Sequence, residues 1–332
     1  MNNNMNKTQE AAYELIRFDA KYLCPLILNF GKIENNWIFM ALPYIGIFAD
    51  GSEEWGKKLS IGAPLFTHEE QRIYEATRQK HKLFNLTFSQ LHKEITHYLK
   101  KSDDEFSSMC KPIARQSKIY YNYGVDYYSS SICGNTILCK IYNEPYTDDG
   151  VIWDRQRIYN ITSIAGKLVR HYGGLQAPCF TMRTAFRSGT KDFHFPENTD
   201  IKIKEAIGFT LFSIFCSINY VIHFLNDIII EEAPMKLRAA YLQYYYLVDL
   251  VEEMNKLMDT NFELNRKWHN VFFRNCMAHY GLGQSIKDSD VNKSDLLFGI
   301  SIKYFNMGYE MFKQKIFDEL KILGNQLADF LF

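Results

Sequence analysis

Residues Ala206 to Asn226 read AIGFTLFSIFCSINYVIHFLN, 21 positions without an Asp, Glu, Lys or Arg. The fold turns on where this stretch is buried. Its length would cross a bilayer, which takes about 20 apolar residues. It also carries Thr210, Ser213, Ser217, Asn219 and His223, polar groups that hydrocarbon penalises and a protein interior can pair. No other segment is like it. We read it as a buried central helix of a bundle or a dimer interface, apolar nearly all round because neighbours cover it, and not as a membrane span.

Upstream of this helix, FHFPENTD interrupts the pattern with Pro and polar residues, and the chain divides near Pro196–Asp200. This gives a domain over 1–199 and another over 200–332. The second domain reads as four helices. The first runs from about Lys202 to Ile230. The next starts at Pro234, a favoured first-turn residue, with the stripe Leu237, Tyr241, Tyr244, Val248, Val251, Met254 and Met258 at helical spacing. The third spans about Leu264 to Tyr280 and ends before Gly281. The last runs from Ser294 to about Phe330, with Leu297, Ile300, Tyr304, Met311 and Leu323 on its buried side. Short connections make an antiparallel four-helix bundle the expected architecture.

The first domain is α-rich and partly β. Thr8 to Phe30 is expected to be helical, with a break or kink at Pro25. Thr67-His68-Glu69-Glu70 is a capping-box pattern opening a helix to about Leu83. Another helix covers Leu86 to Lys100. Residues 116–153 hold Tyr120, Tyr121, Tyr123, Tyr127 and Tyr128, then Thr136–Tyr142 and Val151–Trp153, which read as short strands or an irregular hairpin. Arg155 to Tyr172 is helical again.

The composition, 47% hydrophobic and 15% aromatic, is that of a globular chain. Lys+Arg and Asp+Glu both number 38, so global charge names no partner. Cys24, Cys110, Cys133, Cys139, Cys179, Cys216 and Cys276 are odd in number and form no CxxC pair, which argues against a disulfide framework and a zinc ribbon. Idle or buried thiols in a reducing cytosol are the expectation. The polar, Asn-rich segment Met1 to Glu10 has no apolar stretch of the kind a signal peptide needs. The chain is expected to be cytoplasmic.

The chemistry-bearing stretch is Arg274-Asn275-Cys276-Met277-Ala278-His279, with Gly281 and Gly283 just beyond. Arg neutralises a phosphate and donates several hydrogen bonds in one plane. His moves protons near neutral pH. RNA cleavage needs a 2′-hydroxyl deprotonated, a pentacoordinate phosphorane stabilised and a 5′-oxygen protonated. His279 suits the proton transfers and Arg274 the phosphoryl charge. Asn275 and His279, four apart, share a helix face. The structural alternative pairs Arg274 with an acid such as Glu252 or Glu253 and has His279 cap a carbonyl.

In this four-helix context, Arg274, Asn275 and His279, with Ala278 before the His and a Gly281 turn after it, resemble the HEPN superfamily. The resemblance covers about Ile201 to Phe332. It implies a metal-independent endoribonuclease of the kind found in toxin–antitoxin, CRISPR-linked and phage-defence systems; other members are non-catalytic. One Arg and one His are few for a full site, so the catalytic reading implies a homodimer across a two-fold axis. An antitoxin or trigger protein is a further implied partner, with RNA as substrate and no cofactor.

A second constellation holds Arg155, Arg157, Lys167, Arg170, Arg183, Arg187 and Lys191 without an acidic residue from Arg155 to Lys191, interleaved with Tyr159, His171, Tyr172, Phe180 and Phe186. Cations with aromatics suit single-stranded RNA, through phosphate contacts and base stacking. They equally suit a basic face paired with acids elsewhere.

Other patterns carry less. His92 and His97 are five apart, so they leave the shared face a zinc-protease helix requires, and a solvent-facing helix is expected there. His223 and Asp227 share a face and suit a buried hydrogen bond better than a metal site. Tyr172-Gly173-Gly174 and Gly281-Leu282-Gly283 lack the Lys or the spacing of a phosphate loop. No metal site is expected. The sequence thus points to a mainly α protein whose C-terminal part is a HEPN-like bundle. Its expected function is a metal-independent, dimeric endoribonuclease acting as a toxin or abortive-infection effector. The N-terminal part would recognise substrate, trigger or inhibitor. The rival reading is a non-catalytic HEPN-type scaffold that binds RNA or protein, and a third is a membrane-associated protein using Ala206–Asn226.

Overall fold

In the computed structural model the described residues are 5–29, 36–59, 64–143, 155–173, 179–280 and 286–332, less the side chains of 59 and 155–158. The chain is mainly helical, 70% helix with one small sheet. Capping chemistry opens its N-terminal helices. The Asn6 side chain accepts from the Gln9 amide (2.8 Å) while the Gln9 side chain accepts from the Asn6 amide (3.0 Å), starting α1, Lys7–Leu28. Pro25 lies inside α1, which runs on to Leu28 instead of breaking there; Phe30 is outside the described residues. The capping box at Thr67 and Glu70 opens α3, His68–Gln79, as expected. Thr87 and Gln90 form another that opens α4, Phe88–Met109, which runs well past Lys100. Between them α3 tightens into a 3-10 turn, Lys80–Asn85.

The sequence pattern gives no sign of α2, Trp37–Leu59. Pro43, Gly46, Gly51 and Gly56 interrupt it, and its described apolar residues from Trp37 to Trp55 are buried on nearly every side, so no amphipathic period shows. The glycines have a purpose. A Cβ at Gly46 would stand less than 3.0 Å from the backbone of Thr77 and Arg78, so glycine lets α3 press onto α2.

The Tyr-rich region is half strand. After the short α5, Pro112–Gln116, β1 (Tyr123–Tyr128) and β2 (Ser131–Asn135) form the expected hairpin. Ser188–Phe193 adds β3, giving an antiparallel sheet in the order β2-β1-β3. Thr136–Tyr142, expected as strand, is instead helix α6, Thr136–Asn143. The Asn135 side chain caps it, accepting from the Leu138 amide at 2.9 Å. Residues Ile137 to Asn143 are all buried, and a short run buried all round reads alike as strand or helix. Val151–Trp153 lies outside the described residues. Helix α7 spans Arg155–Gly173.

The charge-free stretch forms α8, Ala206–Asn219, a π turn over Tyr220–Leu225, and the short α9, Asn226–Ile228. Among the described residues it is the one helix long and apolar enough to cross a membrane, and 89% of that window is buried within the chain. Its polar groups are used internally. Ser213 donates to the Phe209 carbonyl (3.0 Å) and Ser217 to Gln243 Oε1 (3.2 Å). Helix α4 and strand β2 pack on it. His92 lies 2.9 Å from Thr210 across the α4–α8 contact, so that face of α4 is partly covered and not purely solvent-facing. The expected His223–Asp227 bond is replaced. Asp227 accepts from Tyr128 Oη (2.5 Å) and Arg183 Nη2 (2.8 Å), because the π turn shifts the register that i, i+4 spacing assumes.

Helix α10, Pro234–Met258, starts at its proline and buries the stripe from Leu237 to Met254. The third expected helix is divided. A 3-10 turn at Arg266–Trp268 precedes α11, Val271–His279. The Tyr241 hydroxyl holds the break together, donating to the Trp268 carbonyl (2.9 Å) and accepting from the Asn270 amide (3.0 Å). The fourth is divided too, into α12 (Ile300–Phe305) and α13 (Tyr309–Leu331), with left-handed Asn306 between them. The restart at Tyr309 resets the helical phase, so Met311 is exposed while Phe312, Ile316, Leu320, Leu323 and Leu327 are buried. The buried core runs without interruption across residue 200: α1 packs on α10 and α2 on α11.

Cys24 and Cys179 form a disulfide across 155 positions, which corrects the expectation of idle thiols for these two. The Phe180 amide donates to the Lys21 carbonyl (3.1 Å), drawing this segment along α1. Nothing in the spacing announces that contact. Cys133, Cys139, Cys216 and Cys276 are buried thiols outside any disulfide. Burial pushes the Cys133 thiol up to about 12 and the Cys276 thiol up to about 11.

Candidate active site

Helix α11 is nine residues long and held at both ends. The Asn270 side chain accepts from the Phe272 and Phe273 amides, both at 3.0 Å. Phe273, Cys276, Met277 and Ala278 face the core. Phe273 packs edge-on against Tyr241 and Phe312, with centroids 4.5 and 5.2 Å away. These anchors leave Arg274, Asn275 and His279 partly exposed on the remaining side.

The helix ends at Tyr280, which takes the left-handed conformation (φ 49°) expected of a glycine. Gly281 and Gly283 lie outside the described residues. A tyrosine tolerates this conformation because its ring is locked. The Arg238 guanidinium lies 4.0 Å from the ring centroid, and the hydroxyl donates to Asp19. Arg238 and Asp19 form a fully buried ion pair.

The structure brings to His279 a group from 201 positions earlier. Arg78 Nη2, at the end of α3, lies 2.5 Å from Nδ1 and 3.1 Å from Nε2 of His279. Its Nη1 lies 3.0 Å from Asp50 Oδ2 on α2. A guanidinium only donates, so the nearer ring nitrogen, Nδ1, is the acceptor. Lys82 and His81 follow in the 3-10 turn. The His81 Nδ1–H donates to the Arg78 carbonyl (2.5 Å), and Tyr246 lies 3.3 Å from its Nε2. Arg274 lies over Tyr245, 5.3 Å from the ring centroid. The Nε atoms of Arg78 and Arg274 are buried with no hydrogen-bond partner among the described residues.

The electrostatics follow from this crowd of cations. Burial first, then Arg78 and Arg274, lowers His279 to about 4, against a small opposing pull from Glu54. Burial lowers Lys82 as well, helped by the same two arginines. Burial raises Asp50 more than Arg78 lowers it. His279 is therefore neutral at pH 7 with its lone pair turned to a cation, in a pocket of positive field.

The acids that sequence offered as partners for Arg274 are engaged elsewhere. Glu252 lies 3.5 Å from Arg266, and Glu253 caps α4 by accepting from the Phe88 amide at 2.8 Å. Sequence reasoning missed Arg78, His81 and Lys82. Their signal is the basic run Arg78-Gln79-Lys80-His81-Lys82, but nothing local shows that it meets residue 279.

The basic segment is divided between α7 and the β3 region. Lys167 pairs with Glu70 (2.5 Å), Arg183 with Asp227 (2.8 Å) and Lys191 with Asp200 (3.9 Å). Arg170 lines a cavity between α1 and α7, and Arg187 is exposed. The Arg155 and Arg157 side chains are outside the described residues. Among the described residues no group of three His, Cys, Asp or Glu could hold a metal ion. No family model, curated protein or solved structure matches the chain.

Proposed function

We propose that the protein is a metal-independent endoribonuclease with His279 as its proton-transfer group and Arg274 as its phosphate group. One observation carries this reading: the half-buried His279 imidazole is in contact with the Arg78 guanidinium and is held neutral by burial and by Arg78, Arg274 and Lys82 against a smaller pull from Glu54. A cationic pocket around a neutral imidazole attracts a phosphodiester and offers it a base. In the proposed step the 2′-oxygen bonds to phosphorus as its proton passes to His279. The phosphorus–O5′ bond breaks, its electron pair leaves with O5′, and that oxygen takes a proton from water. The products are a 2′,3′-cyclic phosphate and a free 5′-hydroxyl. Arg274 neutralises charge on the phosphoryl oxygens, and Asn275 lies on the same helix to hold the substrate. The exposed Lys167, Arg170, Arg187 and Lys191 would track the RNA strand.

The wider reading follows from the HEPN resemblance: a C-terminal four-helix HEPN unit, a homodimer and a cytoplasmic toxin or abortive-infection role. The test is cleavage of RNA by the purified chain in excess chelator, beside His279→Ala. We expect cyclic-phosphate ends from the wild type. The variant should be folded and slower by about 10²–10⁴-fold, the share of a general acid–base group. Cleavage that stops in chelator and returns with magnesium, or a His279→Ala chain that cuts at the wild-type rate, would overturn the assignment. A folded chain that binds RNA and never cuts it would favour the non-catalytic scaffold.

A further inference from the structure

We propose that Arg78 and Lys82 complete the phosphate site around His279 in cis, so that one chain holds both of the arginines that a single HEPN-like motif would otherwise need a second copy to supply. This rests on the ribonuclease reading for its chemistry, while the anion site rests on the Arg78–His279 contact and on two buried guanidinium Nε–H groups. Arg78 at the end of α3 touches the imidazole, and Arg274 on α11 and Lys82 in the 3-10 turn lie near enough to disfavour its charged form. Like charges gathered in a partly buried place repel one another, and that repulsion needs a counter-charge. Asp50 and Glu54 supply only part of it: Asp50 holds one side of Arg78, and Glu54 exerts a weak pull. The Nε–H groups of Arg78 and Arg274 are buried without acceptors among the described residues. Buried donors are usually satisfied by protein, ordered water or a bound ion, so these two leave room for an oxygen ligand. A tetrahedral dianion or phosphodiester has the oxygens that two guanidinium forks and an ammonium would satisfy.

The fold builds this meeting on purpose-shaped ground. Gly46 lets α3 approach α2 at Thr77 and Arg78, where any side chain would collide. The change from α to 3-10 after Gln79 then brings His81 and Lys82 round beside Arg78. In the resting chain Arg78 lies on the Nδ1 side of His279 and so occupies the lone pair that a base requires. A phosphate would compete for Arg78. Drawing the guanidinium onto its oxygens would free the imidazole and cancel the positive field that holds it neutral. Arg78 is thus both a phosphate ligand and a latch on the base, released by substrate.

The test uses the full-length chain, a fluorescent oligonucleotide carrying 2′-deoxyribose throughout, which binds but cannot be cut, and inorganic phosphate. Arg78→Ala should weaken oligonucleotide binding at least tenfold and reduce the slope of log affinity against log salt by about one. Arg78→Lys, which keeps Asp50 paired, should restore most of the binding but not the cleavage rate, because an ammonium lacks the planar fork. Phosphate should raise the His279 titration midpoint, followed by imidazole NMR, in the wild type and not in Arg78→Ala. Mixing His279→Ala with Arg78→Ala chains should give no cleavage, since neither chain holds a whole site. Wild-type affinity and salt slope in folded Arg78→Ala and Arg78→Lys would overturn the proposal, as would restored cleavage in the mixture. If the wild type binds but never cuts RNA, the ribonuclease reading fails while the binding and NMR results still decide the anion site.

Discussion

The Tyr280 ring fills the space beside Gly51, so closely that a Cβ at position 51 would stand less than 3.0 Å from its ring carbons. Tyr280 directly follows His279, and its ring is fixed between Gly51, Arg238 and Asp19. Gly51→Ala should therefore displace the end of α11. We expect a loss of about 1–3 kcal/mol, the cost of overpacking a filled core, together with a fall in RNA cleavage. Gly166→Ala is the control, since a Cβ there meets nothing within 4 Å. It lies inside α7 and should leave stability unchanged or raise it by about 0.5–1 kcal/mol. Denaturant melts of both variants decide the matter; equal effects would show that the Tyr280 contact is not tight.

Asp19 and Arg238 are fully buried, and each retains side-chain atoms without a hydrogen-bond partner among the described residues. Removing one partner of a buried pair strands the other charge. Arg238→Met should cost about 3–5 kcal/mol, and Asp19→Leu a comparable amount. The double variant should recover most of that loss, because two apolar residues of similar volume need no counter-charge. Tyr280 would still lose its acceptor at Asp19, so recovery of stability should exceed recovery of activity. Additive losses in urea melts would show that the two side chains do not interact.

How much of this was legible in sequence depended on whether contacts were local. The α10 stripe from Leu237 to Met254 was readable because one face of that helix repeats at 3.6 residues, and Pro234 and the Thr67 capping box marked starts by local hydrogen bonds. Helix α2 was not, since its glycines serve neighbours: Gly46 serves Arg78, and Gly51 serves Tyr280. The same limit divides the site. Arg274, Asn275 and His279 sit within two turns and announce themselves, whereas Arg78 arrives through the packing of both α3 and α11 on α2. Thr136–Tyr142 misled because burial on every side removes the polar half of any pattern.

Cys24 and Cys179 tie α1 to the segment before β3 across 155 positions. Cys179 is exposed, so a soluble reductant reaches the bond. Reduction of the oxidised chain should lower stability by about 2–5 kcal/mol, mainly by releasing a long loop in the unfolded state. Cys24→Ser should melt like the reduced wild type and be indifferent to reductant. Alkylation and mass spectrometry of the unreduced protein provide the check; free thiols at both positions would contradict the bond.

His81 and His279 make stability depend on pH in a stated direction. Burial first lowers both to about 4, and the cations Arg78 and Lys82 add to the effect at each. An unfolded histidine titrates near 6.5. Between about pH 6.5 and pH 4 the unfolded chain therefore binds protons that the folded chain refuses, so stability falls as pH falls through this window. Above it both states are neutral and the effect is absent; below it both are charged and the loss levels off. For the well-buried His81 the loss is up to about 3 kcal/mol, and less for the half-exposed His279. His81→Gln should flatten the curve of melting temperature against pH between 4 and 6.5, at some cost at pH 7 because the Arg78 carbonyl and Tyr246 lose a shaped partner. Saturating phosphate should also flatten the His279 part, since an anion beside Arg78 and Arg274 removes the field that disfavours imidazolium. A wild-type melting temperature that holds constant from pH 7 to pH 4.5 would show that neither histidine is held neutral by this pocket.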